Sequence, residues 1–480
     1  MKDSERGGAA PWELSAGELC AAYAAGALSP VDAVRSIAER RAAVEPRINA
    51  IAVWDEDGAL AAAKASEARW RAGRPLSPMD GVPLTVKDNI PVAGLPCRWG
   101  SLLYADHVPA VDELPVRRLR EAGAVLLGKT NVPEFTLLGY TASRLAGVTR
   151  NPWNPELTPG GSSGGAAAAV AAGIGPVALA TDGGGSIRRP CSHTGLAGLK
   201  PSRGRVPRAD GLPEILPGME VIGPIARTMD DLLRLLAVIG PAAPAPAPLR
   251  APGRIVYWRH VAGGPVDAQV LTSIDAAAER LCAMGHEVAE EDAPAAIDRF
   301  NREAWPAISA GGLAAMLAPL AARLGETALR DALTPEMAAM WDAGRALPAA
   351  ALPAARQCVA RLRDAVGALF SRCDALLTPA AAALPWPAAQ PHPDRIDGRP
   401  AGPRGHAVFT AFANACGLPG LALPAEPAAG GLPVGLQLVG PRGSDDRLCA
   451  LGRDWESAQP WRHRRPALAD LDAKFAPPPI

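Results

Sequence analysis

Residues 158–190 read TPGGSSGGAAAAVAAGIGPVALATDGGGSIRRP, two glycine clusters that each carry serine, separated by alanine and valine. Serine hydroxyls beside glycine-rich backbone suit acyl transfer: the hydroxyl attacks, and unshielded N–H groups receive the negative charge that develops. The second cluster fits that second task. Gly183, Gly184 and Gly185 can turn successive N–H groups toward one anion. A helix opening at Ser186 would add the positive end of its dipole. A serine nucleophile also needs a base. His193 and His260 stand in no special context, and the seven histidines form no HxxxH or HExxH pattern that would hold a metal. Lysine is the next candidate base. Lys87 ends the apolar stretch of DGVPLTVKDNI. A free lysine, with a pKa of about 10.4, is neutral roughly one time in a thousand near pH 7.4, so Lys87 has to be desolvated to act.

Other readings of the glycine clusters exist. A flexible Gly/Ser linker has a similar composition. A Walker A loop is excluded, because no Lys-Ser/Thr follows GGSSGG. Gly161 to Gly165 matches the G-x-S-x-G nucleophile elbow and points to Ser163. That elbow follows a buried strand, however, and NPWNPELTP precedes this one.

The elements between the clusters argue against a linker. Gly164 to Gly173 is mostly alanine with glycine at its end, a helix of about ten residues and roughly 15 Å. Pro176 breaks it, and VALAT (177–181) suits a strand of about 16 Å. Packed antiparallel, the two bring Ser162 and Ser163 beside Ser186. Elsewhere, S-x-x-E at Ser15 to Glu18 starts a helix, and Ser29-Pro30 starts another with Val34, Ile37 and Ala38 at helical spacing. Val82, Leu84 and Val86 mark a strand ending at Lys87, residues 115–122 a helix, and AVLLGKT (124–130) a buried strand. The alternation predicts an α/β protein with a parallel or mixed sheet. Gly240 to Gly253 is the only linker-like segment. Beyond it, RIVYW reads as a strand, Val270, Ile274 and Leu281 as a helix face, and HEVAEED as an exposed strand or turn. Residues 290–365 read as packed helices, 374–380 and 432–440 as strands, and Leu448, Leu451 and Trp455 as a closing helix.

Bulk composition narrows the function. The 480 residues hold 49 Lys+Arg against 49 Asp+Glu, without the basic excess of a nucleic-acid binder. Apolar residues at 48% allow a large core. The 49 glycines and 50 prolines are scattered, which predicts many turns and not disorder. No signal-peptide run opens the sequence, and the longest apolar run, Ala166 to Ala180, is too short and too interrupted to span a bilayer. Eight cysteines without a CxxC pair read as free thiols in a reducing cytoplasm.

The segments GVPLTVKDNI (81–90), GAVLLGKTNVPEF (123–135), RNPWNPELTPGGSSGG (150–165), TDGGGSIRRP (181–190), GLKPSRGRV (198–206), GPIARTMDDL (223–232) and GLPVGLQLVGPRG (431–443) together resemble the amidase signature family, in family order. The resemblance implies a Ser-Ser-Lys triad. Lys87 resembles the base, Ser162 the bridging serine on a cis peptide bond, and Ser186 the nucleophile. Gly183, Gly184 and Gly185, with the Ser186 N–H, resemble the oxyanion hole; Asp182, Arg188 and Ser163 resemble its supports. Thr136, Leu137 and Tyr140 occupy the family's acyl-pocket positions, with the helices around Trp305 and Trp341 as a cover. The implied architecture is one α/β domain over residues 1–480, a large mixed sheet covered by helices on both sides. Its signature core spans about 80–235, a variable helical segment about 255–370, and the C-terminal part of the sheet about 372–460. The implied activity is hydrolysis of a small carboxamide through an acyl-enzyme, without cofactor or metal, in an often dimeric cytoplasmic enzyme that binds neither nucleic acid nor membrane. The same motifs occur in the glutamine-hydrolysing subunit of the tRNA-dependent amidotransferase, which works with partner subunits. Two departures stand out: Leu157 where the family often has arginine, and Gly183 where threonine is commoner. The segment 290–370 resembles no particular member.

Overall fold

Eleven strands form one mixed sheet in the computed structural model, which describes residues 9–241 and 253–468. Most of the linker-like segment, 242–252, lies outside the described residues. In spatial order the strands are Ile51–Trp54, Val125–Thr130, Pro83–Lys87, Val177–Asp182, Val221–Ala226, Ala197–Lys200, Gly420–Pro424, Gly435–Val439, Ala375–Pro379, Arg254–Tyr257 and Glu287–Glu290. Val125–Thr130, Pro83–Lys87 and Val177–Asp182 run parallel, as do Ala375–Pro379, Arg254–Tyr257 and Glu287–Glu290. The strands between the two parallel groups pair antiparallel.

The side-chain alternation of a strand puts helices on both faces. Leu126 joins a core with Leu84, Val86, Val116, Leu119 and Leu232. Its neighbours Val125 and Leu127 join a different core with Val34, Ile37, Ala59 and Ala168. The same rule divides Val177 and Leu179 from Ala178 and Ala180, and the latter two pack on Ala166, Ala167 and Val170. The predicted alanine helix runs Gly164–Ala172, is buried throughout, and ends on Gly173 in the left-handed conformation. The expected capping box forms at Ser15, and the helix expected from Ser29-Pro30 starts there with a capping box of its own. The apolar run 166–180 is core helix and strand.

Four strands of this sheet go beyond those expected from the sequence: Ile51–Trp54, Ala197–Lys200, Val221–Ala226 and Gly420–Pro424. Two contain proline, which ordinarily argues against a central strand. Pro224 pairs with Leu179, while the ladder on its other side stops at Ile225, so its missing N–H removes no bond there. The helices expected over 290–365 include Trp305–Leu324, Pro335–Arg345 and Ala351–Leu369. The helical run Ala295–Leu324 is long and apolar enough to cross a membrane by length and composition. Here its Leu313 and Leu317 pack on Leu329, Met337 and Trp341 of the following helices.

Candidate active site

Parallel strands bring their carboxyl ends to one edge of a sheet, the usual place for an α/β site. Lys87 ends one strand, and Thr181 lies at the same end of its parallel neighbour, where Val86 pairs with Leu179. The Gly164–Ala172 helix runs back along this sheet and returns its N-terminus to that end. The Ser163 N–H donates to the Ser186 carbonyl at 3.1 Å, the contact expected from the matched helix and strand lengths. The peptide bond Gly161-Ser162 is cis. Ser162 and Ser186 line one cavity.

Lys87 is fully buried. Its Nζ lies 2.9 Å from Ser162 Oγ, 2.8 Å from Thr181 Oγ1 and 3.2 Å from the Thr181 carbonyl. Burial drives its pKa down to about 7; Asp182 and Glu220 oppose this, and Arg189 and Arg208 reinforce it. A neutral amine has two N–H donors and one lone pair. Thr181 supplies two acceptors, so the lone pair is left for the Ser162 hydroxyl. Two other lysines, Lys129 and Lys200, are equally buried. Lys129 donates to the Asp88 and Ile90 carbonyls and Lys200 to the Pro201 carbonyl, and neither meets a serine. Ser163 Oγ donates to the Thr181 carbonyl at 3.1 Å, which ties it to the wall and not to the cavity.

Asp182 organises the glycine run. One carboxylate oxygen accepts from the Gly185 N–H at 2.7 Å, the other from the Ile187 N–H at 3.0 Å. Arg188 chelates both oxygens at 2.9 and 3.1 Å, with both side chains fully buried. This guanidinium, with Lys200 and the backbone donors, holds the carboxyl far below its usual range although burial alone would raise it. Arg188 also donates to Asn414 Oδ1, Gln437 Oε1 and the Thr410 carbonyl. Arg189 donates to the Gly184 carbonyl at 2.6 Å and to the Gly161 carbonyl at 3.2 Å, fastening the two glycine clusters together.

These bonds amend the expected nest. The Gly185 N–H is committed to Asp182, so Gly185 does not offer it to an anion. The N–H groups of Gly183, Gly184 and Ser186 donate to no protein acceptor among the described residues. The helix expected from Ser186 is also irregular. Arg189 N–H donates to the Gly185 carbonyl, but Pro190 has no N–H to continue, and the regular helix runs Arg188–Thr194.

Thr136 and Leu137 line the cavity, together with Leu138, Leu216, Glu220, Trp305 and Arg404. Tyr140 does not: it lies behind the site, its backbone against Gly161. Trp341 is likewise absent from the wall, buried instead with Trp99, Phe135 and Leu313. Leu157 bridges to Pro387, away from the cavity. A Cβ on Gly183 would lie 2.9 Å from Leu216 Cδ1 and 3.3 Å from Glu220 Cγ, so these two side chains fill the space that the commoner threonine would need. Sequence reading missed Thr181, Arg189, Thr410, Asn414 and Gln437. The available signal was a lone amide in each of two apolar stretches, AFANACG and GLQLVG. Among the described residues no group of three His, Cys, Asp or Glu side chains is gathered for a metal.

A family model described as Amidase matches residues 32–449. The chain is 36% identical over 470 residues to AmiB2 of Mycobacterium tuberculosis, named as an amidase, covering 92% of this chain and 96% of that one. It is 34% identical over 485 residues to a glutamyl-tRNA(Gln) amidotransferase subunit of Salinispora tropica, covering 92% and 97%. Among solved structures, a bacterial aryl acylamidase of the amidase signature enzymes superposes with a TM-score of 0.87 at 28% identity, covering 96% of this chain and 99% of that one.

Proposed function

The chain belongs to the amidase signature family and is a hydrolase of carbon–nitrogen bonds; from that premise we propose that it cleaves a small carboxamide through an acyl-Ser186 intermediate. The observation that carries this reading is the Lys87–Ser162 contact of 2.9 Å, made by a lysine whose pKa is lowered to about 7.

Neutral Lys87 draws the proton from Ser162 Oγ, which takes the proton of Ser186 Oγ as that oxygen attacks the amide carbon. The carbonyl π pair moves to oxygen, and the unbonded N–H groups of Gly183, Gly184 and Ser186 receive the oxyanion. As the tetrahedral centre collapses, the C–N bond breaks and the leaving nitrogen takes back a proton from Lys87 through Ser162. Ammonia or an amine departs and the acyl ester remains on Ser186. Water, deprotonated by the same relay, then attacks the ester. The carboxylic acid leaves and Ser186 regains its proton. Asp182, Arg188, Arg189 and Ser163 act through position, holding the glycine run and the cis turn in fixed relation. Eight unpaired cysteines accord with a cytoplasmic enzyme.

A second reading, the glutamine-hydrolysing component of a tRNA-dependent amidotransferase, is favoured by the 34% identity to such a protein over 92% of the chain. One experiment separates the two. Purified protein is incubated with a panel of carboxamides and anilides, and ammonia or amine release is followed. Turnover without partners is expected. Activity that appears only with mischarged tRNA and partner subunits would replace the first reading with the second.

A further inference from the structure

Arg404 borders the cavity that holds Ser162 and Ser186. Its guanidinium stacks on Trp305, 4.1 Å from the ring centroid. The residue keeps some surface in solvent, but Nη2 is sealed from it and has no hydrogen-bond partner. The other charged groups of the wall are occupied. Arg189 is held by the Gly184 and Gly161 carbonyls and by Thr410 Oγ1, with only its Nε left without a partner. Glu220 accepts from the N–H groups of Ile215 and Leu216, each at 2.9 Å, and its second oxygen faces Arg208 at 3.9 Å. Arg404 is the charged side chain of this cavity that makes no hydrogen bond among the described residues. Desolvation, with Arg189 nearby, lowers its pKa to about 9, which leaves it charged at neutral pH.

Position makes this cation useful. Trp305 packs on Gly184 so tightly that a Cβ there would lie 2.3 Å from the indole. The Arg404–Trp305 stack thus abuts the glycine whose N–H is free. Trp305 follows a π-helical turn, Phe300–Ala304, an interruption of the kind that re-aims side chains at functional sites. A guanidinium at a cavity wall without a partner is open to a ligand, and a planar carboxylate matches its donor fork.

We propose that Arg404 receives a carboxylate of the substrate, so that the enzyme prefers anionic amides in which a short spacer separates the carboxylate from the scissile bond. The inference rests on the amidase reading and refines its substrate class. The carboxylate can sit on the acyl side, as in a dicarboxylic half-amide, or on the amine side, as in an N-acyl amino acid. Two substrate pairs distinguish them: succinamate against 4-oxopentanamide, and N-acetyl-β-alanine against N-butylacetamide.

The wild-type enzyme is expected to favour the acid of one pair by about 10- to 100-fold in kcat/KM, the worth of a charge-assisted hydrogen bond. Arg404→Gln should abolish that preference mainly through KM, and Arg404→Lys should restore part of it. A wild-type enzyme without preference in either pair overturns the proposal, as does a preference that survives Arg404→Gln. If the glutamine variant does not fold, Arg404→Lys and competitive inhibition of the wild type by succinate but not by succinamide carry the same test. Failure of all four amides would strike the amidase reading itself; hydrolysis of the neutral amides alone strikes only this refinement.

Discussion

Activity should follow the proton on Lys87. With a pKa of about 7, half of Lys87 is neutral at pH 7, whereas a lysine left at 10.5 would be neutral about one time in three thousand, so burial enlarges the base form by about 10³. The base is the unprotonated amine. Consequently kcat/KM should rise with pH through about 7 and level off above it, falling about tenfold per unit on the acid side. The assay is ammonia release from a fixed carboxamide between pH 5 and 9. Lys200 is also buried and lowered to about 7, so the profile alone does not name the lysine. Glu220→Gln does. Glu220 raises the pKa of Lys87 and is not among the main groups acting on Lys200. Glutamine keeps an oxygen for the N–H groups of Ile215 and Leu216 and removes the charge. Without that anion the Lys87 ammonium is less favoured, and the limb should move to lower pH. A profile flat from pH 5 to 9, a limb near 10, or an unmoved limb in Glu220→Gln would refute the assignment of Lys87 as base.

Ser186→Ala should lower kcat by at least about 10³-fold and block labelling by a serine-directed phosphonate, while Ser163→Ala, which loses only a bond to the Thr181 carbonyl, should keep labelling. Arg188→Met leaves the buried Asp182 carboxylate without its counter-ion, and chemical denaturation should show a loss of about 3–5 kcal/mol. Gly184→Ala forces its new methyl against Trp305, so kcat should fall with a loss of about 1–3 kcal/mol in stability, and indole fluorescence should report the displaced ring.

The local chemistry was legible in the sequence because it depends on residue type and short spacing. Alanine between glycine and proline makes a helix of predictable length, and the strand after it returns over the same distance, so the meeting of Ser163 with Ser186 follows from counting residues. The apolar stretch ending at Lys87 likewise marks a buried strand. Other features escaped because no local signal exists for them. The strand Val221–Ala226 holds a proline, tolerated only because the neighbouring ladder ends beside it. Tyr140 was placed by motif position, yet close packing on Gly161 turns that segment behind the site. Asn414 and Gln437 meet Arg188 from more than two hundred residues away.

The sequence by itself determined which groups are available: a lysine at a strand end, two serine-bearing glycine clusters, and the helix and strand that bring them together. Only the tertiary structure decided what those groups can do. The proton affinity of Lys87 depends on the water excluded around it and the charges that surround it. Which glycine N–H groups stay free depends on Asp182, whose carboxylate captures Gly185 and Ile187. Whether a guanidinium is spent or free, as Arg189 and Arg404 differ, depends on acceptors brought from distant chain segments. Desolvation and long-range hydrogen bonding belong to the assembled surroundings of a group, and a residue's chain neighbours do not specify them.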